Sequence, residues 1–340
     1  MTTLKITLEN KHKYIDRCGK LTAPSEIKEI DCSDIGLTHL VVPEGIQKLV
    51  CSNNNLISLI VHEGIQKLYC SWNKLTSLIV PEGIQILWCS NNNLISLNSG
   101  VLPEGIKKLD CSNNNLISLN SGVLPEGIQK LNCFNNKLTS LIVPEGIKEL
   151  NCCHNKLIHL DVPEGIQELD CSNNKLTFLI VPEEIEVLHC YNNRLTCLKF
   201  GDSHEKIKEI DCSHNKLTCL KVPEKIKGLY CSDNDELSYI DFGTPERLKY
   251  LDIKNNKNLV YPPKEYHLKP IDEIVEWCNI HEIPQRLLLP ERYKKRWNVI
   301  RLIYIAHYKE SLEYTKVPNF NFNMIPIEVI TGIITRYVLT

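Results

Sequence analysis

Long apolar runs are missing from this 340-residue chain. The nearest approach, Val299 to Ala306, is interrupted by Arg301 and falls well short of the roughly 18 residues that a membrane span requires. The opening stretch, Met1 to Asn10, carries Lys5 and Glu9 and has no apolar core, so a secretory leader is not expected. Charge of one sign is also lacking: 39 Lys and Arg against 41 Asp and Glu leave a formal charge of −2. Such a balance implies no nucleic acid or other polyanion as partner, and no membrane surface. Glycine loops that cradle nucleotides, hydrolase elbows and kinase signatures are absent too. The expectation is a non-enzymatic, intracellular protein with no cofactor.

What the chain does have is cysteine, sixteen in all. In a small secreted protein that number would suggest disulfides or metal. Here eleven of them fall in one slot of a pattern, L-x-C-S-x-N-x-L-x-x-L, that returns every 19 or 22 residues. The slot is held by Cys32, Cys51, Cys70, Cys89, Cys111, Cys133, Cys152, Cys171, Cys190, Cys212 and Cys231, and a degenerate copy places Ile253 there. In a stretch such as Lys48-Leu49-Val50-Cys51-Ser52, period-two alternation reads as a short strand with Leu49 and Cys51 inward. Cysteine then serves as a small hydrophobe and stays reduced.

An asparagine closes each strand but the first, where Ile35 stands: Asn54, Asn73, Asn92, Asn114, Asn136, Asn155, Asn174, Asn193, Asn215, Asn234 and Asn256. An amide both donates and accepts, so this column is expected to satisfy buried backbone groups of adjacent coils. The return segment, Pro-Glu-Gly-Ile as at Pro43 to Ile46, combines a fixed φ with a residue permissive of tight turns. It favours an extended back to each coil, not a helix. Two longer copies insert Asn98-Ser99-Gly100 and Asn120-Ser121-Gly122.

Self-similarity at this period with this spacing is the mark of a leucine-rich repeat solenoid. The repeats resemble the short leucine-rich repeats of secreted bacterial effectors and those of giant DNA viruses, as in Cys171-Ser172-Asn173-Asn174-Lys175-Leu176 with the following Leu-x-x-Pro. Cysteine replaces the family's usual Leu or Val. The resemblance implies protein recognition on a concave sheet and no chemistry in the repeats. The expected fold is an α/β solenoid: short parallel strands on the concave face, an extended non-helical convex side and a helical C-terminal region. Residues 1–23 are assigned to an N-terminal cap, 24–260 to about twelve repeats and 261–340 to a helical cap or appended region.

Reading the exposed mid-strand position along the repeats gives Asp31, Val50, Tyr69, Trp88, Asp110, Asn132, Asn151, Asp170, His189, Asp211, Tyr230 and Asp252. A constant core beneath a varied outer column is what a recognition scaffold requires. Tyr69, Trp72, Ile86 and Trp88 form one candidate partner-binding group, placed on adjacent strands. A looser group combines Val187, His189 and Tyr191 with the more distant Phe134. Free drift of surface residues would also yield single aromatics; convergence of four large side chains favours recognition for the first group, while drift is the simpler reading of the second.

No catalytic or metal residues are assigned. Cys152-Cys153-His154 sets a thiol beside a base, yet Cys152 fills the buried slot and neighbouring strand residues point to opposite faces. Cys278 and His281 have zinc-ligand spacing without a second pair. In the tail, Pro270–His281 and Pro290–Tyr314 read as helices opened by proline. Ile325-Pro326-Ile327-Glu328-Val329-Ile330, followed by Ile333, Ile334, Tyr337 and Val338, resembles the start of an F-box. That resemblance supports an alternative function, an adaptor joining ubiquitin-ligase components. The basic cluster Arg292, Lys294, Lys295 and Arg296 reads as a solvated helix face.

Overall fold

The structure is a computed structural model that describes residues 3–97, 102–119, 124–200, 205–242, 247–262, 264 and 267–280. The inserts at 98–100 and 120–122, the basic cluster, the second tail helix and the F-box-like segment lie outside the described residues, as does His281.

Each repeat contributes a three-residue strand to one parallel sheet of 13 strands. Pairing is in register from coil to coil: Lys48, Leu49 and Val50 lie opposite Lys67, Leu68 and Tyr69, which lie opposite Ile86, Leu87 and Trp88. Register follows from the alternation, because a one-residue slip would turn every inward Leu and Cys to solvent. Leu49, Cys51 and Leu56 are fully buried, their counterparts in the other repeats are buried except the half-buried Leu251 of the last coil, and one continuous core runs from Ile6 to Cys278. Burial of each such leucine contributes roughly 1.5–3 kcal/mol.

Thirteen strands exceed the twelve repeats read from the sequence. The additional one is Thr3–Lys5, which pairs with Glu29–Asp31 and so extends the sheet past the first recognisable repeat. Leu4 stands opposite Ile30, and Ile6, 1% exposed, occupies the position that cysteine takes elsewhere. Residues after it depart from the repeat: a short helix, Lys11–Tyr14, follows, and Ile15 and Leu21 are buried below it.

Beyond the strand the chain turns through a residue with positive φ in every coil: Asp34, Asn53, Trp72, Asn91, Asn113, Asn135, His154, Asn173, Asn192, His214, Asp233 and Asn255, between 51° and 60°. Asn, Asp and His are the non-glycine residues that best tolerate this region. The chain then runs back along a second, extended arm. Parts of that arm pair as two-stranded parallel sheets: His39–Val41 with Ser58–Ile60, Leu179–Val181 with Leu198–Phe200, and Cys219–Lys221 with Tyr239–Asp241. No helix forms on this arm among the described residues. The closing Pro-Glu-Gly-Ile turn takes its glycine to φ 85° at Gly45, whereas at Gly146 a side chain would meet the Glu126 carbonyl oxygen at 2.8 Å. Glycine is needed for turn geometry in one coil and for close stacking in the other.

At the far end the helix Ile271–Ile280 begins just after Pro270, whose carbonyl accepts from Ile274 N–H at 3.2 Å. Ile274 and Cys278 are buried against the last coils, and Tyr261 donates its hydroxyl to the Cys278 carbonyl at 2.8 Å. None of the helices among the described residues is long and apolar enough to cross a membrane.

Candidate functional site

The asparagine column forms a continuous hydrogen-bonded ladder at the ends of the strands. Asn54 Nδ2 donates to the carbonyls of Cys32 at 2.9 Å, Cys51 at 3.0 Å and Ser52 at 3.2 Å, and its Oδ1 accepts from Leu37 N–H at 2.9 Å. Asn73 repeats the pattern one coil on, donating to Cys51 and Cys70 and accepting from Leu56. The same bonds continue through Asn92, Asn114, Asn136, Asn155, Asn174, Asn193, Asn215 and Asn234. Asn256 ends the ladder on the carbonyls of Cys231 and Ile253. Each amide thus ties its own coil to the preceding one, and all eleven are at least nine-tenths buried.

Directly inside this ladder lie the repeat thiols, eleven of them with no exposed surface. All sixteen cysteines are free. Burial is the main cause that pushes Cys32 and Cys70 up to about 12, and it drives the other nine in the same direction, with neighbouring thiols and the strand aspartates adding to it. Cys153 is likewise pushed up to about 12, first by burial and then by the Asp170 carboxylate. A thiol so held from its thiolate is a poor nucleophile. Among the described residues no group of three His, Cys, Asp or Glu could hold a metal ion.

The exposed mid-strand column divides into two kinds of residue. Asp31, Asp110, Asp170 and Asp211 each accept, on Oδ1, the backbone N–H of the residue two positions on, at 3.0–3.1 Å. Asn132, Asn151 and Asp252 do the same. Seven of the twelve positions therefore secure the strand's own exit turn, an Asx turn in form. Reading the whole column as freely variable overestimated its role in recognition, because Asp and Asn there share one structural task. The positions without that task are Val50, Tyr69, Trp88, His189 and Tyr230.

Two of those five are in contact. Tyr69 and Trp88 face each other across adjacent strands, with ring centroids 4.8 Å apart at 88°, an edge-to-face pair. Ile86 stands beside them on the Trp88 strand, half-buried. Trp72 is not on a strand, contrary to its sequence assignment. It occupies the left-handed turn position at φ 58° and is 61% exposed, with Trp88 at 47%. Every other coil places Asn, Asp or His in this position, and several of those bond along the edge, as Asn135 to Asn113 at 2.9 Å and Asn255 to Asp233 at 3.0 Å. A bulky side chain in this region costs about 1–2 kcal/mol.

The second sequence group is not brought together as one cluster. Phe134 stacks edge-on against His154, centroids 5.3 Å apart at 87°. It stands three strands from Tyr191 in the same column, about 14 Å at the spacing of a sheet. Val187 and His189 do share a surface with the first group. They close one end of a groove of about 580 Å³ whose other end is Trp88. Its floor is basic near Trp88, at Lys108 and Lys130, and acidic near His189, at Glu149, Glu168 and Asp170. A Lys130–Glu149 ion pair marks the change of sign, and His189 Nε2 lies 3.2 Å from Glu209 Oε1. Sequence reasoning followed the aromatic residues and passed over this reversal, although it is visible as Lys48, Lys67, Lys108 and Lys130 followed by Glu149, Glu168 and Glu209 at one repeat position. Also missed was a row of exposed isoleucines on the second arm, Ile57, Ile95, Ile117 and Ile158, one residue after the inward leucine.

Comparison with known proteins agrees with this geometry. The model of the Leucine Rich Repeat family matches residues 105–131. No curated protein matches the sequence. YopM from Yersinia enterocolitica is similar in structure at 24% identity and a TM-score of 0.55, over 71% of this chain and 62% of that one. YopM from Yersinia pestis, a leucine-rich effector protein, is similar at 21% identity and a TM-score of 0.51, over 76% and 86% of the two chains. The functional domain of InlJ from Listeria monocytogenes, which includes a cysteine ladder, has 26% identity and a TM-score of 0.49, over 66% and 52%. This chain therefore spans less than two thirds of the first YopM and of the InlJ domain. The repeat pattern, the parallel coils, the asparagine ladder and the likeness to the two YopM structures show a leucine-rich repeat fold.

Proposed function

We propose that the chain is a non-catalytic recognition scaffold that holds a partner protein against its main sheet, with Tyr69, Trp72 and Trp88 as the anchor. The observation that carries this reading is Trp72. A strained, exposed tryptophan stands where eleven other coils place Asn, Asp or His, three residues along the chain from Tyr69 of the edge-to-face pair. Strain kept at one position of an otherwise uniform ladder points to a use for that side chain, and Trp and Tyr supply large contact areas at hot spots. The groove leading from Trp88 to Val187 and His189 crosses six strands, about 24 Å. It suits an extended segment with acidic residues towards Lys108 and Lys130 and basic ones towards Glu149 and Glu168. Ile86 borders the anchor, while Phe134 and Tyr191 lie off the groove and are secondary candidates. Free thiols at all sixteen cysteines fit a reducing, intracellular setting.

Two substitutions test this surface by opposite effects on stability and binding. Trp72→Asn should stabilise the fold by about 1 kcal/mol, since it restores the residue type the turn accepts, while weakening partner capture. Trp88→Ala should leave the fold intact and weaken binding by about 2 kcal/mol, roughly 30-fold. Denaturant midpoints and quantitative affinity capture with the full chain check both. Retention by both variants of every protein that the unaltered chain captures would reject the anchor.

A further inference from the structure

The sheet is parallel throughout, so the turns that precede its strands gather on one edge of the solenoid and the turns that follow them gather on the other. The leading edge carries a glutamate in successive coils: Glu44, Glu63, Glu82, Glu104 and Glu126, all exposed. Three residues on, the same edge has Gln47, Gln66, Gln85 and Gln129, with a single cation, Lys107. Among the described residues none of these five glutamates has an ion-pair partner. Further along, the same edge neutralises itself, pairing Glu184 with Lys206, Glu186 with Lys208 and Glu205 with Lys225. The column continues through Glu145, Glu164 and Glu183, exposed and likewise without an ion pair among the described residues, and the self-paired carboxylates lie at neighbouring positions of the same edge.

The trailing edge shows the reverse. The position after the ladder asparagine holds Lys137, Lys156, Lys175, Arg194 and Lys216 in five successive coils, again all exposed. In earlier coils the position holds Asn55, Asn93 and Asn115, with Lys74 between them. None of the five cations has a carboxylate within ion-pair distance among the described residues. Their neighbours in the left-handed column are Asn135, His154, Asn173, Asn192 and His214, so no acid lies between them. Like charges stacked at one strand spacing repel one another, and an acidic surface brought against them relieves that repulsion.

We propose that a second copy of this chain supplies it, the acidic leading edge of one molecule docking along the basic trailing edge of another. Pitch selects this partner. Both ladders repeat once per coil, about 4.8 Å, so the two sets of charges meet one to one. A nucleic acid strand, with a phosphate about every 3.4 Å along the duplex axis, falls out of step within a few coils. Aligning Glu44 with Lys137 offsets the two molecules by four coils, about 19 Å. The two edges differ, so the contact is heterologous and leaves a free edge on each molecule. Association is therefore open-ended, giving a stepped row of chains. The contact leaves the sheet face open, and Trp72, whose turn lies on the trailing edge, falls three coils before Lys137.

Sedimentation velocity of the full chain, under reductant so that exposed Cys18 cannot cross-link copies, tests the proposal. The mass should grow with concentration at low salt, and the apparent dissociation constant should weaken by at least about 10-fold when added salt brings the Debye length from about 10 Å to 3 Å. One variant reverses the basic edge (Lys137→Glu, Lys156→Glu, Lys175→Glu, Arg194→Glu, Lys216→Glu) and another reverses the acidic edge (Glu44→Lys, Glu63→Lys, Glu82→Lys, Glu104→Lys, Glu126→Lys). Each alone should remain monomeric, and their mixture should associate. Should a reversed variant fail to fold, the corresponding glutamine variants replace it, and loss of association by both then supports the contact. A monomer at every concentration and salt, self-association of either variant alone, or a monomeric mixture of the two reversed variants would overturn it. So would an unaltered chain that stays monomeric while its basic edge binds single-stranded DNA or anionic vesicles.

Discussion

Asn155→Ala is expected to lower the stability of the chain by about 3 kcal/mol, one orphaned buried N–H and two weakened carbonyl contacts together. Asn155 Nδ2 donates to the Cys133 carbonyl at 3.0 Å and the Cys152 carbonyl at 3.1 Å, and its Oδ1 accepts from Leu138 N–H at 3.0 Å. These backbone groups are buried; alanine would orphan the Leu138 N–H and remove one of two amide donors from each carbonyl, Asn136 still serving Cys133 and Asn174 still serving Cys152. Each unsatisfied group costs roughly 1–3 kcal/mol. The loss also acts across a boundary, because the amide joins two coils and solenoid stability depends on the interfaces between neighbours. Truncation of Asn55, exposed and next in sequence to a ladder residue, should change the denaturant midpoint little. A small shift for Asn155→Ala would mean that the backbone groups find other partners and that the ladder is dispensable.

Cys111→Asp is expected to cost about 3–5 kcal/mol at neutral pH, while Cys111→Val costs less than about 1.5 kcal/mol. Cys111 has no exposed surface, its thiol lies 3.6 Å from the Asn132 carbonyl, and Cys89 and Cys133 occupy the same slot on either side. Valine keeps volume and apolarity and gives up only that weak sulfur contact. A carboxylate there has no cation to meet and loses its water. The sign of the pH dependence follows. Burial raises the introduced carboxyl's folded pKa above its unfolded value of about 3.9, so the variant comes closest to the unaltered protein below that pH. It loses ground as pH rises, by about 1.4 kcal/mol per unit until the folded pKa is passed. Denaturation midpoints of the two variants between acid and neutral pH measure this, and parallel curves would show the slot to be wet.

The stack itself was legible in the sequence because the buried slots repeat with little change: Leu49, Cys51, Asn54 and Leu56 name their own positions in every coil. Where those markers lapse, reading failed. The Thr3–Lys5 strand escaped notice because nothing after Ile6 repeats the Ser-x-Asn-x-Leu turn, so a single strand's alternation had to stand alone. The strand pairs of the second arm were missed for a related reason, since residues such as Ile60, Val181 and Lys221 share no common pattern there. Other features exist only once coils are stacked. The seven Asp and Asn side chains that hold the exit turns look like surface variation until their bonds to the backbone two residues on are seen. Trp72 stands out in the sequence by its size and its neighbours in the pattern, but its left-handed backbone emerges only from the twelve-fold comparison of φ. The two charged edges likewise arise from residues 19 or 22 positions apart that become neighbours in space.

The dry packing of the periodic thiols underlies both the core and the outward-facing surfaces built on it. Brief alkylation of the native protein, read site by site by mass spectrometry before and after denaturation, addresses that packing directly. Cys18 is exposed, Cys197 and Cys219 are half-buried and the other thirteen are buried. The stack requires fast labelling at Cys18, slower labelling at Cys197 and Cys219, and none at the eleven thiols from Cys32 to Cys231 until the chain unfolds. Modification of those eleven in the folded protein at the rate of Cys18 would place them in water and contradict the coil-on-coil core.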